Sequence, residues 1–445
     1  MWKLLYNIGL LLASPVIVGV LLAKPRCRPG FLQRIGWQLP ISDGTQPSRP
    51  LVWVHAVSLG EVVAVSPLVK ALHEHHPEFR YIVTTVTETG REAVEQRLKG
   101  VAEHRYAPLD FTWAVGRMIR HMQPMLYVFV ETELWPNLLW ALHDHGVPSV
   151  LVNGRLSSRS FGRQDLSLIR SFYRTVLHTL TLCLMQSDRD QERIVALGAE
   201  PSRVHVTGNI KFDQPLPEVK AEASLRQSFG VGECEQLILG GSTHAGEEEL
   251  LASAYAQIVK KHPDTVLMVA PRHIERAEKV EAMFREAGFA VQRKSRIQSM
   301  HKGPRVIILD TRGELARAYR DAVVAFVGGT LIPVGGHNLL EPAVWGTPVM
   351  FGPYTDHCAE IATLLSESGG GRRVMGVEDL VVSIEEWIRQ PDKRNQDGQV
   401  AKQVVLDNQG ALMRSLEQIE QCIRTASSYS DHSVTTGAGP LVVKP

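Results

Sequence analysis

The chain lacks an excess of charge of either sign. Across 445 residues, 48 Lys plus Arg face 47 Asp plus Glu, a formal net charge of +1, so no global field exists to hold nucleic acid irrespective of sequence. Any basic surface is local, and no nucleic-acid partner is expected. Cysteine is scarce: Cys27, Cys183, Cys234, Cys358 and Cys422 are odd in number, far apart and form no CxxC. That argues against a thiolate-rich metal site and for a reducing compartment. No GxGxxG stands at a strand-to-helix turn, which removes the main support for a nicotinamide dehydrogenase. The GxxxxG spacing of Gly241 to Gly246 is followed by Glu247 and Glu248, not by Lys and Ser/Thr, so it is not a phosphate loop of the Walker type. No biased repeat dominates, and 44% hydrophobic with 21% charged residues describes a packed protein of two or three domains.

One long apolar run is present. Leu4 to Ala23 is interrupted only by Tyr6, Asn7, Ser14 and Pro15, and about 20 helical residues suffice to cross the hydrocarbon core. A retained anchor, a cleaved signal peptide and a monotopic hairpin kinked at Pro15 all fit such a run. Only Lys3 precedes it, whereas Lys24, Arg26, Arg28 and Arg34 follow it and no acidic residue occurs before Asp43. By the positive-inside rule the body faces the cytoplasm, and the collar attracts anionic headgroups.

From Leu51 short apolar segments alternate with amphipathic ones: "LVWVHAV", "YIVTTVT", "MLYVFVETE", "SVLVNGR", "LCLMQS" and "VHVTGNIKFD", then "QLILGGST", "TVLMVAPRH", "VIILDT", "VVAFVGG", "TPVMFGP" and a weak "RRVMG". Alternating strand and helix patterns predict parallel sheets. The Pro-containing stretch near Gln214 to Ala221 separates the two series, so the expectation is an α/β chain of two Rossmann-like, doubly wound domains facing a cleft. Residues 1–24 form an anchor, 25–216 a first domain, 217–424 a second domain carrying the carboxy-terminal helices, and 425–445 a Ser-, Thr- and Gly-rich disordered tail.

Ligands of open α/β sheets gather at the carboxyl ends of the strands, and the motifs fall there. Glu61 of "HAVSLGEV" sits at a helix start, as a capping acid or as a general base. Ser242, Thr243 and His244 end a strand and offer donors beside a helix start. Arg272 follows "TVLMV", as a solvated charge or as a partner for phosphate or carboxylate. In "VGGTLIPVGGHNLLEPAVWGTPV" paired glycines permit close backbone approach, Asn338 suits an N-cap, and Glu341 falls in the first helical turn, where amides meet phosphate and a carboxylate meets ribose hydroxyls. Glu131 and Glu133 are two residues apart, as a metal or acid pair or as structural support.

Together "HAVSLGE", "ETELWPN", "NGRLSSRS", "GNIKFD", "GGSTHAGEE", "APRH", "TRGELARAY" and "GGTLIPVGGHNLLEPAVWGTPVMFGP" resemble, in order and from the amino-terminal run to about Arg424, the Kdo transferases of lipopolysaccharide synthesis. The resemblance implies a GT-B glycosyltransferase at the cytoplasmic side of the bacterial inner membrane. Such an enzyme moves 3-deoxy-D-manno-octulosonate (Kdo) from CMP-Kdo to a lipid A precursor with inversion. By match, Glu61 is the base, and Glu131 and Lys211 stabilise the transition state. Pro271 and Arg272, Arg312, Gly313 and Glu314, and Asn338, Leu339, Leu340 and Glu341 hold CMP. Leu339 and Ile274 replace residues more common in that family. No cofactor or metal is expected, since the donor sugar carries its own carboxylate and the leaving group a single phosphate. The two-domain plan alone equally allows a UDP-sugar donor. Arg155, Arg159 and Arg163, with Arg170 and Arg174, recur every four residues. Any helical part of that stretch presents guanidiniums on one face, either a solvated stripe or a site for the phosphates of the acceptor, to which Arg155 and Arg159 are assigned.

Overall fold

The computed structural model describes residues 1–23, 29–37, 49–156, 161, 167–213, 225–297 and 305–435. The chain divides into two units, Met1–Gln214 with Gln409–Pro445, and Pro215–Asn408.

In the first unit seven parallel strands, β1 (Leu51–His55), β2 (Arg80–Thr85), β3 (Glu103–Tyr106), β4 (Leu126–Val130), β5 (Ser149–Gly154), β6 (Leu182–Met185) and β7 (Val204–Val206), lie in the order β3-β2-β1-β4-β5-β6-β7. The central strands read as unbroken apolar runs because both faces are covered. Val52, Val54, Val128 and Val130 face one core, and Trp53, Tyr127 and Phe129, one residue out of step, face the other. The edges β3 and β7 are short, four and three residues, and β3 is polar as well, which limits pairing with another chain.

The second unit repeats the plan with β8 (Gln236–Thr243), β9 (Thr265–Pro271), β10 (Val291–Arg293), β11 (Arg305–Ile308), β12 (Val324–Val327), β13 (Val349–Phe351) and β14 (Gly371–Arg373), ordered β10-β11-β9-β8-β12-β13-β14. In both sheets the order reverses direction beside the first strand, at β1/β4 and at β8/β12. Those are the topological switch points where ligands of such sheets bind.

The boundary after Gln214 lies within the expected stretch. Two expectations about the carboxy terminus are corrected. The last helix, Ala411–Thr435, belongs to the first unit, not the second: Ala411, Leu416, Ile419 and Ile423 are buried in its core, at roughly 1.5–3 kcal/mol per fully buried large side chain. The helix also continues through 425–435, where disorder was expected, because neither Gly nor Pro occurs between Gly410 and Gly437 to stop it. Residues 436–445 lie outside the described residues.

The amino-terminal run is a helix, Trp2–Ala23, with Pro15 inside it, and its Trp2–Gly19 window is long and apolar enough to cross a membrane. Its first two turns contact the first unit. Lys3 pairs with Asp144 at 2.7 Å, the Trp2 indole donates to Ser171 Oγ at 3.1 Å, and the Tyr6 hydroxyl donates to Asp110 at 2.8 Å.

Candidate active site

At the β1/β4 switch the chain leaves β1 through Ala56 and Val57 into the helix Leu59–His75, with Glu61 in its first turn. The Ser58 side chain caps nothing. Instead Glu61 turns back: its Oε2 accepts the Val57 amide at 2.7 Å and its Oε1 the Ser58 hydroxyl at 3.2 Å. The capping reading is therefore observed, yet each oxygen keeps lone-pair capacity for another partner. Glu61 is only 8% exposed. Burial pushes its carboxyl up to about 8 against the pull of the Val57 amide, and the charges of Glu131 and Glu133 reinforce the rise. A carboxyl with its proton affinity raised to near neutral pH has the chemistry a general base requires.

Glu131 is the residue after β4. Its backbone is left-handed, φ 58°, a conformation that costs a non-glycine residue roughly 1–3 kcal/mol, and its amide is held by the Val152 carbonyl at 2.9 Å. The side chain points to Lys211, Nζ to Oε1 2.8 Å. Lys211 is carried by the tight turn Ile210–Asp213, which a polar network fixes. Asn153 Oδ1 accepts the Ile210 amide at 3.0 Å, Gln186 Nε2 donates to the Asn153 carbonyl at 3.0 Å, and Asn209 Oδ1 accepts the Lys211 amide at 3.0 Å. Asp213 in turn accepts the Gly410 and Leu412 amides at 2.6 and 2.7 Å, so the start of the last helix locks the lysine turn. Glu133 is engaged elsewhere, with the Trp135 indole at 3.0 Å. The two acids of "ETE" thus serve different partners, and among the described residues no group of three or more His, Cys, Asp or Glu is placed to hold a metal.

Sequence reasoning reached Glu61, Glu131 and Lys211 but not Asn153. Its φ of 57° marks the irregularity where β5 slips register against β6, and the only hint was the Asn-Gly pair in a strand.

The arginine stripe is only partly brought together. Arg155 follows β5 outside any helix, half-buried, because its carbonyl is tied to the Thr132 hydroxyl. Arg159 and Arg163 lie outside the described residues. Arg170 and Arg174 do lie on one helix, Ser167–Leu177, and with Ser167, His178, Gly198 and Pro201 they line a cavity of about 440 Å³.

In the second unit β8 skips register between Gly241 and Thr243, with Ser242 at φ 54°. The glycines of "VGGT" are needed for close approach: a Cβ on Gly328 would lie 2.4 Å from the Ser242 carbonyl oxygen. The amides of this loop do not wait for a phosphate. Buried Glu247 accepts those of Gly329, Thr330 and Leu331 at 2.8, 3.0 and 2.9 Å and that of His244 at 3.0 Å. Thr243 is likewise occupied, donating to Glu248 at 3.0 Å, and Glu248 also meets Arg276 through both oxygens at 2.9 and 3.1 Å. Ser242 and His244 stay partly exposed.

The Arg272 amide is bound to the Thr243 carbonyl at 2.9 Å, directly after Pro271, the last residue of β9, and its side chain is exposed. His244 and His337 oppose their Nε2 atoms at 2.8 Å with the rings stacked, so at most one proton lies between them. Burial, with the positive field of Arg272 and of His244, His357 and His273, pushes His337 down to about 3. His244 is also lowered. An arriving anion would find the Arg272 cation beside two neutral imidazoles, which can offer an N–H but resist taking up a proton. His337 was missed as a candidate although it stands in the densest motif.

Asn338 precedes the helix Leu340–Ala343 by two residues, yet its Oδ1 still accepts the Leu340 amide at 3.1 Å while Nδ2 donates to Glu341 at 3.5 Å. Burial raises the Glu341 carboxyl. Leu339 and Leu340 are buried packing residues. Arg312, 83% exposed, reaches Glu275 at 3.5 Å, in the turn that comes after Arg272. Gly313 turns the chain at φ 85°, and Glu314 is tied to Thr311 and Lys294.

Residues 30–214 match the family described as 3-deoxy-D-manno-octulosonic-acid transferase (kdotransferase). The 3-deoxy-D-manno-octulosonic acid transferase of Haemophilus influenzae is 33% identical, over 94% of this chain and 98% of its own. That of Bordetella pertussis is 32% identical over 85% and 89%. Among solved structures, the UDP-GlcNAc 2-epimerase of Neisseria meningitidis bound to UDP-GlcNAc aligns with a TM-score of 0.58 at 13% identity, over 83% of this chain and 100% of that one. A glycosyltransferase from Rickettsia africae aligns at 0.56 and 11%, over 84% and 99%. These two show the fold alone.

Proposed function

Because the chain belongs to the 3-deoxy-D-manno-octulosonic acid transferase family and has the GT-B type of fold, we propose that it transfers Kdo from CMP-Kdo to a lipid A precursor such as lipid IVA, at the cytoplasmic face of a bacterial inner membrane. Glu61 takes the proton of the acceptor hydroxyl as its oxygen forms the new bond to the anomeric carbon. The bond from that carbon to the phosphate oxygen breaks on the opposite side, so configuration inverts and CMP departs with the electron pair. Lys211, oriented by Glu131, supplies positive charge to the developing negative charge. The second unit holds the donor. Arg272, with His244 and His337, meets phosphate or sugar carboxylate, and Asn338 and Glu341 suit the ribose and base, with Pro271, Leu339, Leu340 and the Arg312-Gly313-Glu314 turn around them. No metal takes part in this reading. Arg155 and Arg159, with Arg170 and Arg174, serve the acceptor's phosphates.

The observation that carries this reading is the Glu61 carboxyl, buried at the β1/β4 switch point with its proton affinity raised. The test is mass spectrometry of the product from the purified chain, CMP-Kdo and lipid IVA. A Kdo-bearing lipid with release of CMP, inhibited by added CMP and not by UDP, is expected. Absence of product with CMP-Kdo, or turnover of a UDP-sugar instead, overturns it.

A further inference from the structure

The amino-terminal helix is long and apolar enough for a membrane crossing, but the places where its first turns and the chain beyond it are held do not suit one. Its first end is bound laterally to the first unit. Trp2 donates to Ser171 and packs edge-on against Phe172, and Tyr6 stacks on Phe172 at 5.7 Å. Tyr6 also donates to Asp110, and the Asn7 and Asn137 amides exchange hydrogen bonds at 2.9 Å in both directions. Asp110 is no casual partner, since its two oxygens also accept the Asn137 and Leu138 amides at the start of the helix Pro136–Asp144.

Beyond the helix the chain returns to the same place. The Arg34 carbonyl accepts the Leu109 amide at 2.7 Å, its guanidinium donates to the Val86 carbonyl at 2.6 Å, and it lies over the Tyr106 ring at 4.6 Å. One short segment, Tyr106 to Asp110, therefore holds the chain on both sides of the apolar run.

A spanning helix puts its ends on opposite sides of about 30 Å of hydrocarbon. If Ala23 were on the body's side, Trp2 to Asn7 would be out of reach of it. If the first turns are on the body's side, as found, residues 24–28 must bring the chain back from Ala23 to Pro29, and six steps of chain reach at most about 21 Å. Those residues are Lys-Pro-Arg-Cys-Arg, cations that hydrocarbon does not accept on a lipid-exposed return path.

We infer that this helix crosses no bilayer and lies in the plane of one leaflet, with both ends on the body's side. The exposure pattern agrees. The less exposed residues, Trp2, Tyr6, Asn7, Leu10, Ser14, Ile17 and Val18, recur at helical spacing, whereas Leu4, Leu5, Leu11, Leu12 and Val16 stand exposed. Leu168, one turn before Phe172 on the helix that holds Trp2 and Tyr6, is 68% exposed. The helix has no acidic residue and is flanked by Lys3 and the cations of 24–28. The occupant of the apolar face is thus a leaflet containing anionic phospholipid, into which such a helix sinks by its apolar side. The proposal concerns topology and stands whichever sugar the enzyme transfers.

The test uses the full chain with an epitope at its amino terminus, in membrane vesicles of both orientations. Protease is expected to remove the epitope and digest the body from the same side. An epitope protected on the body's side and cleaved only from the other overturns the proposal. A second arm needs no protease: in a chain with its native cysteines replaced by alanine, Asn7→Cys and Asn137→Cys are expected to form a disulfide under mild oxidation while bound to vesicles of phosphatidylglycerol and phosphatidylethanolamine. Vesicle-bound enzyme that never crosslinks counts against it. So does a detergent-free dimer that ignores vesicles, which would give the apolar face to a second copy.

Discussion

Lys211 Nζ lies 2.8 Å from Glu131 Oε1 although the two are 80 residues apart in sequence, and both side chains are about one fifth exposed. Burial raises the Glu61 carboxyl most, and the negative charge of Glu131 adds to the rise, so a change in either member of the pair is expected to alter the charge that Glu61 meets. The two halves of the pair should therefore move the pH profile in opposite directions. Glu131→Gln removes an anion, so the acidic limb of kcat/KM shifts to lower pH. Lys211→Ala leaves Glu131 uncompensated, so the limb shifts to higher pH. Both lower kcat, Lys211→Ala by on the order of a hundredfold, as expected for loss of a preorganised donor to the transition state. Shifts of the same sign would show that the pair does not act through Glu61.

Glu61→Gln should fold, bind CMP and lose at least about a hundredfold in rate. The wild-type enzyme must lose the Glu61 proton to act, so kcat/KM should climb with pH until about 8. Stability runs the other way. A carboxyl raised from its ordinary 4.5 to about 8 favours the fold fully below 4.5, and that contribution is lost as pH rises through 8. Glu61→Gln should thus match the wild type in Tm near pH 5 and exceed it at pH 9. A variant less stable than the wild type at pH 9 would contradict the raised carboxyl.

The central strands were legible because a parallel sheet buried on both faces favours apolar residues at nearly every position, and β1, β4 and β5 are buried throughout with polar side chains only at His55, Ser149 and Asn153 besides the tyrosine of β4. The edge strand β3, Glu-His-Arg-Tyr, carries no such signal. The last helix looks in sequence like any amphipathic helix, and its return to the first unit is decided by Asp213, almost 200 residues earlier. At the site, Glu61, Glu131 and Lys211 were legible through motif resemblance and strand-end position. Glu247 and the His244–His337 contact were not, since each joins loops after β8 and β12 that only the sheet brings together.

Glu247 shows what such a join is worth. Glu247→Ala leaves four loop amides, of His244, Gly329, Thr330 and Leu331, without their acceptor, at about 1–3 kcal/mol per buried unsatisfied group. Water entering the space offsets part of that, so a loss of about 3–5 kcal/mol is expected. Chemical denaturation checks the magnitude, and protection of the Gly329 to Leu331 amides from hydrogen exchange checks the place.

Turnover should survive EDTA. Arg272 and Lys211 can carry the charge that a metal supplies to phosphate in other transferases, with the neutral imidazoles of His244 and His337 offering at most an N–H. Initial rates in chelator, and after adding back magnesium, measure this. Activity that is lost and then restored by magnesium would direct attention to Glu131 and Glu133.

The acceptor is the remaining question, and Arg170 with Arg174 gives the sharpest handle on it. Both lie on one face of the helix Ser167–Leu177 and line a cavity of about 440 Å³, large enough for a phosphorylated sugar headgroup. The same helix carries Ser171 and Phe172, which hold the amino-terminal helix, so the cavity opens beside the apolar surface from which a lipid would come. Arginine meets phosphate with a two-pronged fork and lysine does not. The double variant Arg170→Ala, Arg174→Ala should raise the KM for the lipid acceptor at least about tenfold, the worth of one charge-assisted contact. The KM for CMP-Kdo should stay nearly unchanged, because the proposed donor residues lie in the other unit. Lysine at both positions should restore only part of the loss. If both KM values rise together, or neither moves, these arginines are a solvated stripe and the acceptor's phosphates are met elsewhere, with Arg155, beside the Glu131 segment, next to be changed.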